Sequence, residues 1–459
     1  MNESYPVKLK LNFWFYPLGL PLLVGTTIAL LTLVSAHLKV YLLITIIGAI
    51  FSALLLANMK NALLLLILLR PAVDFFQDAQ IKLGGFGGIN VASILSLMLI
   101  FGGILYIAIN KVKIFSLPGA KPFLAFILIA LVSLTFSTNI AVGFTEWLRL
   151  LSFFTIYVLA AECLKEKKHL NQLIAAIFIS VLLPSTIGFY QVFTGTGNLE
   201  TPGFNRITGT FVHPNQFAHY LLLIVALAAI FIFESRKPII KIGMFLLSVA
   251  VSVLLFNTYT RGAWLGLILV LCLLGILKYR KLLLAIPLIL LVVTTISSSL
   301  IAQRFADLRD PKPYGSGNSV GARTEIWKAT YPLFLTSPFL GTGWGRSVIS
   351  EKADINRDKW QSWADNPTHN DYLKILTETG IIGLSAYLWL LFVIAREGWR
   401  RYSQGRGAFL KSLAPGFLVL VVVYFALSID SNLIRNIAFQ WSFWALAAVI
   451  CKTSTLEIG

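Results

Sequence analysis

Charge is what this chain has least of. Only 13% of its 459 residues are charged, and just 20 are acidic against 38 basic. A soluble domain carries roughly a quarter charged residues. That deficit excludes a water-soluble globule, and the 57% hydrophobic content with a mean hydropathy of +0.80 implies a polytopic membrane protein instead. Cysteine is scarce too: Cys163, Cys272 and Cys451 have no metal-ligand spacing and no framework pattern, which disfavours disulfide and zinc roles. The chain contains no His-Glu-x-x-His, no Gly-x-Ser-x-Gly and no phosphate-binding Walker loop, and its expected outer loops lack Asp-x-Asp. Metal-dependent transfer from a nucleotide sugar is therefore disfavoured, and no cofactor or metal site is expected.

Long polar stretches are also missing. The longest, about 301–379, reads as an extracytoplasmic cap between membrane helices rather than a separate enzyme, so 1–459 is expected to be one integral membrane domain. The apolar run near 16–35 that follows Lys8 and Lys10 is too long for a signal-peptide core and reads as a retained first helix. The net charge of +18 does not point to nucleic acid, because most basic residues sit in short loops between apolar runs.

What is present is a series of apolar runs. Spans are expected near 17–35, 40–57, 62–76, 91–109, 123–137, 147–161, 170–192, 218–233, 239–259, 262–277, 282–300, 380–394, 413–428 and 437–450. Arg70 and Pro71 interrupt the third, so the expected class is an all-α polytopic protein of about 12–14 membrane helices. Lysine and arginine crowd the loops that become cytoplasmic when both termini are inside. The short outer loops hold only Lys39, Arg70, Lys82, Arg206, Arg261 and Arg435. Those outer arginines run against the topological bias and need another cause.

Five polar clusters fall on this outer side, at 208–217, 258–264, 321–327, 367–373 and 430–435. They contribute several arginines and few acids, a composition suited to holding an anion; a lipid-bound diphosphate is the expected one. Arg261 reads either as a snorkelling anchor beside Trp264 or as an anion fork for which Gly262 and Ala263 clear space. Arg323 opens an amphipathic helix in which Glu325 is a weak partner. His369 lies in the large loop, with Pro367 able to start a helix that presents it. Asp365 and Asp371 flank it, Asn370 adds a polar partner, and an imidazole there suits a general base toward a sugar hydroxyl. Spacing does not say which carboxylate orients it. His213 and Asn215 stand as secondary ligand candidates, although a helix start with Asn215 as cap accounts for them slightly better. Arg206 and Arg435 are weaker anion candidates that could also be snorkelling residues. Arg149 reads as a structural partner of Glu146. Gly341, Gly343 and Gly345 are expected to take unusual backbone angles.

In order along the chain, Gly-Thr-Phe-Val-His-Pro-Asn at 209–215, Thr-Arg-Gly-Ala-Trp at 260–264, Gly-Ala-Arg-Thr-Glu-Ile-Trp at 321–327 and His-Asn-Asp-Tyr-Leu-Lys at 369–374 resemble the O-antigen ligase/polymerase superfamily of bacterial envelopes. Gly-Ile-Ile-Gly-Leu at 380–384 is similar to the family's next-span start. The resemblance covers roughly 200–390, and His213 departs from the residue expected before Pro214 and Asn215. It implies a metal-independent, inverting glycosyltransferase in the cytoplasmic membrane, acting at its outer face on a polyprenyl-diphosphate-linked glycan. Arg261 and Arg323 would neutralise the diphosphate and His369 would deprotonate the acceptor. The motifs do not separate two activities. Polymerisation of surface-polysaccharide repeat units, with a chain-length regulator as accessory partner, is the expectation; ligation onto lipid A-core or protein is the alternative. An anion transporter is a second alternative, but it would place charge near the bilayer midplane, where this sequence has almost none.

Overall fold

The computed structural model of the chain describes residues 58–76, 81–82, 88–201, 204–287, 291, 319–345, 368–404 and 408–452. The spans expected near 17–35 and 40–57, most of that near 282–300, and Asp365 and Pro367 lie outside these residues.

The described chain is helical: α1 (Met59–Val73), α2 (Val91–Ile109), α3 (Ala120–Leu134), α4 (Ile140–Cys163), α5 (Lys167–Ser180), α6 (Leu182–Thr194), α7 (Pro214–Glu234), α8 (Pro238–Asn257), α9 (Arg261–Leu277), α10 (Ser319–Thr336), α11 (Asp371–Gln404), α12 (Ala408–Asp430) and α13 (Ile437–Lys452). Two short antiparallel hairpins interrupt it, β1 (Ile81–Lys82) with β2 (Gly88–Ile89) and β3 (Asn198–Thr201) with β4 (Phe204–Arg206), the latter registering Asn198 against Arg206. Among the described residues, seven helices are long and apolar enough to cross a membrane, one of them running through α5 and α6; α3, α9 and α13 are shorter apolar helices. The all-α polytopic class expected from composition is therefore what the chain adopts. Pro71 does not end α1, which runs past it to Val73.

Local signals start several helices. Asn58, Asn90 and Asn139 each accept, through the side-chain oxygen, the N–H three residues on, at 3.2, 2.9 and 3.1 Å. This satisfies one of the donors every helix start leaves over. The middle of the bundle belongs to α13, whose residues 438–451 are all buried. A helix apolar on every side needs neighbours on every side, and α13 has them in α4, α11, α1 and α7. By contrast α8 leaves Ile239, Ile242, Phe245 and Leu246 exposed, the composition of a face turned to lipid.

One helix is broken. At Gly380 α11 takes φ +68° and ψ −173°, so two helical pieces meet there. The segment 338–345 closes the gap with main-chain bonds: Ile381 N donates to Pro338 O at 2.8 Å, Thr342 N to Thr377 O at 2.9 Å and Gly343 N to Glu378 O at 3.2 Å. A Cβ at position 380 would collide with the Phe339 carbonyl, so both the angle and the space demand glycine. Gly341, Gly343 and Gly345 take positive φ, as their spacing suggested. The His369 segment thus heads a short helical piece stitched against the top of a longer one.

Candidate active site

The polar clusters converge on one end of the bundle. Arg206, on β4, donates through Nε to Thr258 O at 2.9 Å, and through one terminal nitrogen to Asn215 Oδ1 at 2.7 Å and Thr260 Oγ1 at 3.1 Å. Thr260 also donates to Asn215 Oδ1 at 3.2 Å. These bonds join the starts of α7 and α9 into one corner. The α7 cap is His213, not Asn215: its Nδ1 accepts the Asn215 N–H at 3.1 Å, while the Asn215 side chain turns to Arg206. The correction has a simple cause. Pro214 occupies the first helical position and has no N–H to cap, so the preceding residue serves the next donor.

Arg323, near the start of α10, forms an ion pair with Asp430 at the end of α12. Its Nε is buried without a hydrogen-bond partner among the described residues. The side chain of Asp430 rests on Gly262, where a Cβ would collide with its Oδ2. The room that Gly262 provides is therefore occupied by a carboxylate rather than left open beside Arg261. Arg261 itself is the first residue of α9, partly buried, and Thr260 caps it in backbone only. Sequence reasoning looked for Arg323's acid nearby and considered Glu325; the acid used lies 107 positions on.

His369 is 9% exposed and takes φ +44°. Left-handed backbone costs a non-glycine residue about 1–2 kcal/mol and persists where the surroundings impose it. Tyr259, in the neighbouring 258–264 cluster, is also left-handed at φ +51°. The helix that Pro367 was expected to start begins instead at Asp371. Asn370 acts as its cap, with Oδ1 accepting the Leu373 N–H at 3.0 Å. Asp371 does point a carboxylate inward, but its Oδ2 accepts from Ser428 Oγ at 3.1 Å and Ile434 N at 3.0 Å.

Electrostatics tie the cluster together. Burial, first, and then the charges of Arg323, Arg435 and Arg206 hold the His369 imidazole well below its usual range. Burial and then Arg206, His219 and Arg323 push His213 down to about 3. Both imidazoles are therefore neutral at physiological pH, and in His213 the cap bond to Nδ1 leaves the proton on Nε2.

Arg435 reaches the same cluster from behind. Its Nε lies 3.3 Å from Glu146 Oε1. Glu146, 3% exposed, also meets Arg149 at 3.0 Å and Lys374 at 3.6 Å. Lys374 pairs in turn with Glu378 and lies 4.4 Å from the centre of the Trp344 ring. The Arg149–Glu146 pair was legible from spacing. Lys374, Glu378 and Asn432 were not singled out, although Lys374 closes the quoted 369–374 motif and Asn432 sits inside the 430–435 cluster.

Comparison with known proteins bears on half of this constellation. Residues 246–388 match a family model described as O-Antigen ligase. They include Arg261, Arg323, His369 and Gly380, and leave Arg206, His213, Asn215 and Arg435 outside. An O-antigen ligase of Salmonella typhimurium is 26% identical over 196 residues, spanning 41% of this chain and 47% of that protein.

Proposed function

We propose, for a chain whose residues 246–388 match a family model described as O-Antigen ligase, that it transfers a glycan from a polyprenyl-diphosphate donor to an acceptor hydroxyl at one face of the membrane. The observation that carries this reading is the gathering of Arg206, Arg323 and Arg435 about a buried His369 at one end of an apolar bundle. A concentration of guanidinium groups at that depth calls for an anion, and the Nε of Arg323, unsatisfied among the described residues, is a donor that an anion would satisfy.

In this mechanism Arg323 and Arg261 take the diphosphate oxygens, helped by the N–H groups at the start of α9. Charge that builds on the leaving diphosphate meets fixed guanidinium forks, the kind of preorganised stabilisation that dominates such reactions. His369 accepts the proton of the attacking hydroxyl, and direct displacement inverts the anomeric centre. Neutral His369 is in the base form, but burial first and then the surrounding cations hold its basicity down. A bound diphosphate offsets those cations and raises the proton affinity of the imidazole once donor is in place. The base thus strengthens when it is needed.

Both matches carry the word ligase, which favours moving a finished glycan onto a lipid or protein acceptor over polymerisation, the expectation that the motifs themselves did not separate from ligation. Anion transport is a poorer account, because the clustered cations lie at an end of the bundle rather than across its middle. The opposite end carries Lys165, Lys278, Arg396, Arg400 and Lys452. By the positive-inside bias that end faces the cytoplasm of a bacterial cell, so the site faces outward.

The test is incubation of the purified protein with a polyprenyl-diphosphate oligosaccharide, with and without a lipid acceptor. A single transfer to the acceptor is expected from wild type, and none from His369→Ala. A ladder on the donor lipid would restore the polymerase reading; an unreacted donor in every mixture would overturn the proposal.

A further inference from the structure

The left-handed His369 is gripped on both sides by one short segment. On its N-terminal side, Thr368 Oγ1 donates to Asn432 Oδ1 at 3.1 Å; on its C-terminal side, Asn370 N donates to that same oxygen, also at 3.1 Å. One residue further on, the Asp371 carboxylate accepts from Ser428 Oγ and Ile434 N. The Thr368 carbonyl is fixed as well, accepting from Trp327 Nε1 of α10 at 2.6 Å. A single amide oxygen thus bridges the two neighbours of His369 and sets the angle at which the imidazole leaves the chain. The clamping segment, 428–435, also carries Asp430, the partner of Arg323, and Arg435. Imidazole and guanidinium groups are therefore registered against one common element.

The geometry points to Asn432 as a positioning residue for glycan transfer: its side-chain oxygen, by holding Thr368 and Asn370 together, aims His369 at the acceptor hydroxyl. This inference rests on the base role proposed above. Asparagine suits the task because a carbonyl oxygen has two lone pairs and can accept from both neighbours at once. Aspartate would keep both acceptor bonds; alanine and leucine would lose them. A backbone so held persists only while its surroundings over-determine it. Without the clamp His369 relaxes to an ordinary angle and its ring swings off line, which slows the chemical step without weakening the hold on the donor.

Two readouts separate the clamp from the base. The first is the rate of diethylpyrocarbonate modification at His369, followed by mass spectrometry of the full-length protein in detergent. The second is transfer kinetics over pH 5.5–8.5. Asn432→Ala and Asn432→Leu are expected to speed labelling of His369 several-fold. They should lower kcat by about tenfold or more while leaving the donor KM within about twofold, the size of effect a misplaced reacting group produces. Asn432→Asp restores slow labelling and most of kcat. Thr368→Val, which removes one of the two bonds, is a milder variant for use if the others fold poorly, and it falls between. Unchanged labelling and kcat in Asn432→Leu or Thr368→Val would overturn the inference, as would loss in Asn432→Asp equal to that in Asn432→Ala. Full transfer by His369→Ala, with labelling still accelerated by Asn432→Ala, would instead sink the base assignment and leave a purely structural clamp.

Discussion

At the scale of single residues, the site holds groups in one protonation state across a pH range in which water would let them titrate. Neutral His213 and His369 are the clearest case. Their folded pKa values lie below the unfolded value of about 6.5, so the unfolded chain binds protons first as pH falls. Stability is then complete above about pH 6.5 and lost below it, by roughly 1.4 kcal/mol per pH unit for each imidazole. Thermal unfolding in detergent should show a midpoint that falls between pH 7.5 and 5.5, and a shallower fall in a variant with both histidines changed to asparagine. Equal slopes would rule the effect out. Gly262 offers a second test. Gly262→Ala puts a methyl where the Asp430 carboxylate sits and is expected to cost about 1–3 kcal/mol through overpacking. Adding Asp430→Ala should recover part of that loss, and strictly additive melting shifts would show that the two positions do not touch.

Elements were the most legible level of this sequence. The apolar runs at 91–109, 239–259 and 437–450 read correctly because a membrane helix must satisfy its own backbone, leaving length and hydropathy as nearly sufficient signals. Glycines at 341, 343 and 345 announced an irregular segment for a similarly local reason. The break in α11 was invisible, since Gly380 reads equally well as the first residue of a span, and what it accommodates is the Phe339 carbonyl from 41 positions away. The pairing of Arg323 with Asp430 was hidden in the same way: both residues were in view, but no local rule connects positions so distant. Gly380→Ala should be strongly destabilising, by about 2 kcal/mol or more from angle and collision together. Its melting temperature checks this. A wild-type value would mean that the two pieces of α11 can close into one continuous helix.

The whole molecule shows a division of labour between its ends. Arg435, Arg149 and Lys374 converge on the buried Glu146, so one carboxylate balances cations drawn from α4, α11 and the turn before α13. Removing it strands charges in a dry interior. Glu146→Gln is expected to cost about 3 kcal/mol or more, read as a fall in melting temperature; a shift equivalent to less than about 0.5 kcal/mol would show that solvent reaches the cluster. Composition predicted an apolar body and the polar clusters a gathering of cations, but not that a minority of acids would organise that end of the bundle.

The seam between 338–345 and the two pieces of α11 is made of main-chain bonds. Peptide groups are common to nearly all residues, so that joint survives replacement of almost any side chain around it except its glycines. On the function proposed above, the segment 338–345 can therefore change its side chains to meet differently shaped acceptors while the helical piece headed by His369 stays anchored. Change in what the molecule recognises and constancy in what it does to it can proceed independently.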